Sequence, residues 1–323
     1  MALLCISYFI AVSACLSAVG VLFEHALPAA APRRWLWCVT IVASVFLPPV
    51  LAVWHTSHVI AIWGYELYRL SASSQSMSGD SLSHNLLDCN ALYGTWFNWM
   101  WLVSLGSLLA WGIANTRRVS RLARPGNRSR NTIVDGVPVI LTDSIGPATV
   151  GAWRSRVVLP QWVLALPRAD MQYVVRHEEE HRAAHDTWLL CAFAILVSLF
   201  PWNLPLWWQL NRLRLAVEMD CDNRVVSALG NAGAYGELLF KVAEASSRGP
   251  RLQPAFLGAA GSLETRLKAL LAPARRRTME RVLAPAVAIG LLAVMLSLPH
   301  PQRSGALEGH SMKSHAGLAK TRN

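Results

Sequence analysis

The sequence predicts an α-helical membrane protein of about four transmembrane helices, with an α+β domain inserted between the third and the fourth. Three observations carry that expectation. The chain of 323 residues is 53% hydrophobic and only 15% charged. Its apolar residues are gathered into runs close to the ~20 residues that a helix needs to cross a bilayer. After the third run the pattern changes to short β-rich stretches, and then to a polar helix carrying paired histidines.

Ala2–Phe23 is the first run and carries no charge. A cleaved signal peptide would begin with positive charge; here Arg33 and Arg34 follow the run instead, so a retained span is expected. Trp35–Trp54 is the second run, with Pro48-Pro49 late in it. Trp96–Ala114 is the third, and Val282–Leu298, shorter, is the fourth. The chain then divides into a membrane region over 1–114 with an external loop at 55–95, a domain over 115–281, a last helix over 282–299 and a tail over 300–323. Fourteen tryptophans suit the aromatic belts of lipid interfaces.

A net charge of +11 is compatible with nucleic acid or with a membrane surface. Arginine placement decides for the bilayer. Arg33 and Arg34 lie between the first two runs, Arg117, Arg118, Arg121, Arg124, Arg128 and Arg130 follow the third, and Arg275, Arg276, Arg277 and Arg281 precede the fourth. Loop 55–95 holds only Arg69. The positive-inside rule therefore puts the N-terminus outside, 115–281 in the cytoplasm and the tail outside, although Arg303, Lys313, Lys320 and Arg322 in that tail pull the other way. The basic run Thr116–Asn131 is read as a stop signal that meets anionic headgroups. No aromatic interleaving accompanies it, so no direct nucleic-acid binding is expected. None of the six cysteines forms a C-x-x-C pair. Neither a disulfide framework nor a cysteine zinc cluster is expected, and each cysteine is expected to be structural.

Within the inserted domain, Ile133-Val134, Val137–Leu141 and Arg156–Leu159 are β-rich and are separated by Asp135-Gly136 and Gly146-Pro147 turns. They predict a small sheet leading to Pro160. A helix is expected from near Pro167 to about Asp186. It contains Arg176-His177-Glu178-Glu179-Glu180-His181, which reads H-E-x-x-H. Residues four apart share one helix face, so His177 and His181 can aim their imidazoles at one point and supply half of a tetrahedral zinc site. Glu178 is placed to act as general base on water at the metal. Taken alone, the pattern also suits a solvated helix face, so a third ligand and a context are needed. An edge strand near the metal would hold substrate by strand addition; a plain structural sheet is the alternative.

Trp188–Trp208 is apolar enough for a fifth span, but a crossing there would carry everything after it away from His177. Pro201, Asn203 and Pro205 break the run, so a membrane-proximal hairpin over 188–208 is expected. The best third ligand is then Glu218, on a second helix. Asp222, four residues on, shares its face and is expected to accept the other N–H of a metal-bound histidine. His185 competes as a ligand, one turn beyond His181, but a third ligand from that helix requires a sharp turn and no glycine is present to permit it. His185 and Arg182 are left as candidate donors to the oxyanion.

Three motifs together resemble the BlaR/MecR family of integral membrane metallopeptidases: Arg176-His177-Glu178-x-x-His181, Glu218-x-x-Cys221-Asp222, and Gly146-Pro147-x-x-x-Gly151 followed by Val158-Leu159-Pro160. The resemblance covers roughly residues 1–300. The Cys-Asp ending separates the chain from related membrane zinc proteases that share the Glu-x-x-x-Asp spacing. The resemblance implies a gluzincin-type zinc domain facing the cytoplasm of a bacterial inner membrane. It implies one Zn2+ per chain on His177, His181 and Glu218, with Glu178 as the base. It also implies cleavage of the chain itself, or of a cytoplasmic transcriptional repressor, as the output. The β-lactam-sensing members continue beyond the fourth span into a penicillin-binding-type domain. Here about 25 residues follow that span, with no S-x-x-K motif, so the signal is expected through loop 55–95, the spans or another protein.

Two other functions are compatible with the sequence: a non-catalytic membrane signal transducer that keeps the metal for structure, and a quality-control protease. Three convincing protein ligands instead of four, and a Glu178 that binds no metal, favour catalysis. The expected partners are the lipid bilayer and a protein substrate, and a homodimer is compatible with the sequence.

Overall fold

The structure is a computed structural model that describes residues 2–28, 31–55, 131–142, 146–247 except 152, and 259–271, with short stretches within 99–117 and 286–290. The described part is mostly helical. Helix α1 (Ala2–Ala26) is followed by α2 (Arg33–His55), and a short helix, α3, covers Trp101–Ala114. Ile6–Ala26 is the one described segment long and apolar enough to cross a membrane. The segment expected as the second span is helical as α2, with Pro48 and Pro49 inside the helix, and most of the segment expected as the third is helical as α3, but neither is long and apolar enough to count as a span. Loop 55–95, the fourth expected span and tail 300–323 lie outside the described residues, apart from isolated positions.

The apolar helices pack because their buried faces interlock. Trp37, Ile41 and Val45 of α2 meet Leu206, Leu210, Leu213 and Val217 of a later helix, α6 (Leu204–Leu229). Gly20 of α1 lets the Trp37 ring lie close: a Cβ there would be 3.2 Å from the ring. A buried polar cluster ties the same helices together, with the Gln209 amide donating to Ser17 Oγ at 2.8 Å and Ser44 Oγ at 2.9 Å. Such interhelical hydrogen bonds hold apolar helices in register where packing alone is permissive.

The rest is an α+β unit. Strands β1 (Asn131–Val134) and β2 (Val137–Thr142) form a hairpin across Asp135-Gly136, both at positive φ (47° and 81°), as a two-residue turn of this hand requires. Strand β4 (Arg156–Pro160) pairs parallel with β2 and antiparallel with β3 (Ala148–Val150), so the order is β1-β2-β4-β3 and β3 is at an edge. Covered on both faces, β4 is a continuous apolar run, with Val157, Val158 and Leu159 fully buried. The turn into β4 needs Gly151: its φ is +105°, and a Cβ there would stand 2.6 Å from the Arg154 carbonyl oxygen.

A 3₁₀ turn (Gln161–Ala165) leads to α4 (Arg168–Ala183), which ends three residues short of the expected Asp186. Helix α5 (Asp186–Ser198) follows, then α6, α7 (Ala232–Ser247) and α8 (Ala259–Leu271). The apolar run 188–208 is broken between α5 and α6, where the Asn203 side chain accepts the Leu206 N–H and starts the new helix. The chain doubles back there, and α6 returns along α4. Val139, Leu141, Val157 and Leu159 of the sheet close one core with Tyr173 and Val174 of α4, Cys221 and Val225 of α6, and Tyr235 and Leu238 of α7.

Candidate metal centre

Helix α4 turns His177 and His181 to the same side, as a four-residue spacing requires, and their Nε2 atoms are 3.3 Å apart. Helix α6 brings Glu218 to the same place. One carboxylate oxygen is 3.7 Å from His177 Nε2 and the other is 3.8 Å from His181 Nε2. Ligand atoms around a tetrahedral zinc ion at 2.0–2.1 Å stand about 3.4 Å apart, close to this spacing.

The far side of each imidazole is also held. His181 Nδ1 lies 2.9 Å from Asp186 Oδ2, the carboxylate of the first residue of α5. His177 Nδ1 lies 2.9 Å from the Tyr235 hydroxyl on α7, which donates to Asp222 Oδ1 at 2.8 Å. With Tyr235 donating onward, its oxygen accepts the His177 Nδ1–H, and Asp186 accepts the His181 Nδ1–H. Both Nε2 atoms then present lone pairs to the shared point. Asp222 therefore does not meet His177 directly, as its helix spacing suggests: the two are 3.6 Å apart and the tyrosine bridges them. Asp222 is instead gripped by Arg266 of α8 through two 2.7 Å hydrogen bonds, and the same guanidinium reaches Glu218 at 2.9 Å.

The electrostatics favour positive charge at the shared point. Burial works against the His177 imidazolium, but the Cys221 sulfur and Glu218 outweigh it and hold the pKa up at about 10. His181 is raised well above its usual range, with Asp186, the Cys221 sulfur and Glu218 opposing burial. Burial would raise the Glu218 carboxyl, yet Arg266 and the two histidines keep it far below its usual range. Two imidazole nitrogens whose Nε2 protons a metal ion would replace, a carboxylate and a field that rewards a cation fit a divalent metal ion.

Cys221, expected to be merely structural, sits fully buried beside this centre. Its sulfur is 3.4 Å from His177 Nδ1, and that imidazole offsets burial to pull the thiol below its usual pKa. His177, His181 and Cys221 offer ligand atoms all within 4.8 Å of one another, a set that could hold a metal ion. Glu218 faces the Nε2 side of His177 and Cys221 the Nδ1 side.

Glu178 is buried on the side of α4 that faces the sheet. The hydroxyl of Thr149, on edge strand β3, is 3.1 Å from its carboxylate and 2.8 Å from its main-chain oxygen. The two expected oxyanion donors are engaged elsewhere. Arg182 grips Glu179 with two hydrogen bonds of 2.6 and 2.7 Å. His185 is exposed, bonds the Ala183 carbonyl, and itself makes the sharp turn between α4 and α5 in the left-handed region at φ 56°. That turn needs no glycine, because a single left-handed residue costs only ~1–2 kcal/mol and the packing of α5 outweighs it. No described contact joins either residue to His177, His181 or Glu218.

Asp186, Tyr235, Arg266 and Thr149 are absent from the sequence-derived site. Asp186 carries a local signal, an acid one residue past the turn that follows His181. Thr149 lies inside the Gly146–Gly151 motif. Tyr235 and Arg266 come from later helices, and nothing in their spacing points back to His177.

Residues 29–270, well over half of the chain, match the family described as BlaR1 peptidase M56. The chain therefore belongs to this metallopeptidase family. No curated protein and no solved structure matches it.

Proposed function

We propose that this M56 peptidase is a membrane-embedded, zinc-dependent endopeptidase with its metal on His177, His181 and Glu218. The observation that carries the proposal is the convergence of two imidazole Nε2 atoms and one carboxylate within 3.3–3.8 Å, each imidazole steadied at Nδ1. Glu218 is preferred to Cys221 because its two oxygens face the two imidazole Nε2 atoms, whereas the cysteine meets His177 at Nδ1, the nitrogen already bonded to Tyr235. A zinc ion supplies Lewis acidity there, acidifying a water and polarising the scissile carbonyl.

The chain's own residues do the rest. Glu178 takes the proton of the attacking water on its carboxylate and returns it to the leaving amine nitrogen. Thr149 holds that carboxylate against β3. The outer edge of β3, which pairs with no other strand among the described residues, aligns an extended substrate by strand addition, which suits an endopeptidase.

Four spans are proposed, namely α1, α2, Trp96–Ala114 and Val282–Leu298, with 115–281 facing the cytoplasm of a bacterial inner membrane. The apolar α1, the arginine asymmetry and the family support this. The proposed output is regulated cleavage of the chain itself or of a transcriptional repressor. The rivals are a housekeeping membrane protease, which would cut many proteins where a regulator cuts few, and a transducer that never cuts.

Ligand variants of the detergent-purified protein test the site. Glu218→Gln is expected to weaken zinc binding by more than the roughly 10–100-fold typical of outer-shell changes, and to abolish cleavage of casein and of the chain itself. Cys221→Ser is expected to keep both zinc and cleavage. The reverse pattern, measured by competition with a chromophoric chelator, would assign the metal to the cysteine set.

A further inference from the structure

We propose that Arg34 is a positioning residue of the metal centre, through which the seating of α2 sets the orientation of His181. The inference rests on the assignment of His181 as a metal ligand. Its basis is a continuous set of contacts from the start of α2 to that imidazole.

Helix α2 begins on α6, next to the site. Asp220, two residues from Glu218, accepts the main-chain N–H of Arg33 on one oxygen and that of Arg34 on the other, each at 3.1 Å. The first N–H groups of a helix have no partner within it, so a carboxylate across two of them fixes that helix end in place. From this fixed end the Arg34 guanidinium reaches Asp186 Oδ1 at 2.9 Å. The other oxygen of Asp186 accepts from His181 Nδ1 at 2.9 Å. One carboxylate, 3% exposed, thus carries α2 on one oxygen and a candidate metal ligand on the other.

The other cation near Asp186 shows what Arg34 prevents. Arg224 lies 3.5 Å from Asp186 Oδ2, the oxygen that His181 uses, while its main bond is to Glu180 at 2.8 Å. Without Arg34, the strongest pull on Asp186 comes from the side where it competes with His181. The hold is also single-pronged: only Nη1 of Arg34 engages Asp186, and Nε is buried with no hydrogen-bond partner among the described residues. A small displacement of α2 along α6 would break it, whereas the apolar contacts of Trp37 and Ile41 with Leu210 and Leu213 are non-directional. Motion of α2 would therefore be felt at His181 before the helices separate. A plain interfacial anchor would place its charge among lipid headgroups and leave the metal untouched.

The test uses the full chain in detergent, stripped of metal and loaded separately with Zn2+ and with Co2+ as a spectroscopic probe. Arg34→Ala and Arg34→Gln are compared with Arg34→Lys, and with Arg33→Ala, which keeps the main-chain N–H used by Asp220. The first two are expected to weaken zinc binding roughly tenfold, to shift the visible bands of bound cobalt, and to lower kcat with little change in KM. Arg34→Lys should recover most of each effect, and Arg33→Ala should match wild type. Wild-type zinc affinity and an unshifted cobalt spectrum in the alanine and glutamine variants would overturn the inference while leaving the zinc-peptidase assignment intact. If the alanine variant does not fold, the glutamine variant carries the same criterion. Failure of the wild-type chain to take up either metal would overturn the assignment itself, and this inference with it.

Discussion

Glu178→Gln is expected to leave zinc bound and to lower peptide hydrolysis by roughly 10²–10⁴-fold, the usual contribution of a general base. The substitution is nearly isosteric, so the buried position acquires neither a cavity nor a clash. The amide oxygen can still accept from the Thr149 hydroxyl, which now lies 3.1 Å from the carboxylate. What is lost is a group that can take a proton from water and return it. The loss should fall on kcat, with KM near wild type, because strand addition along β3 does not use the side-chain charge. Assay of a fluorogenic peptide beside zinc content checks this. An unchanged rate would remove Glu178 from the chemistry.

His181→Ala should be more damaging and differently so. It removes one proposed ligand, and it leaves Asp186 Oδ2, nearly fully buried, without the imidazole N–H. The lost hydrogen bond to this charged acceptor costs ~1.5–3 kcal/mol by itself, with Arg224 at 3.5 Å left as the remaining partner of that oxygen. Zinc bound at a thousand times its Kd stabilises the wild-type fold by about 4 kcal/mol, and the variant should forfeit that as well. Thermal melts with and without zinc are expected to differ for wild type and Glu178→Gln and to coincide for His181→Ala, whose hydrolysis should be undetectable. A His181→Ala protein that still melts later with zinc would place the metal elsewhere.

The parts of this molecule legible in its sequence are those set by short-range periodicity. A four-residue spacing is enough to put His177 and His181 on one face, and Asp135-Gly136 between β-branched runs is enough for the β1–β2 hairpin. Proline and asparagine at 201–205 foretell the reversal that returns Glu218 to the histidines. Strand β3 is harder to see, because three residues are too few to show alternation, and its place at the sheet edge is set by pairing with β4. The surroundings of the ligands are mostly illegible, since tertiary packing assembles them. Tyr235 enters between His177 and Asp222 from α7, Arg266 grips Asp222 from α8, and Arg34 reaches Asp186 from α2. The turn at His185 escapes for another reason: a left-handed residue is expected to be glycine, and here helix packing overrides that preference.

The most direct test of a one-site zinc peptidase is a titration of the metal-free wild-type chain with zinc while cleavage of a protein substrate is followed. Hydrolysis should be absent at the start, rise in proportion to added zinc and level off at one ion per chain. Cleavage that proceeds without zinc, or a fully loaded chain that cuts neither the substrate nor itself, would contradict the assignment.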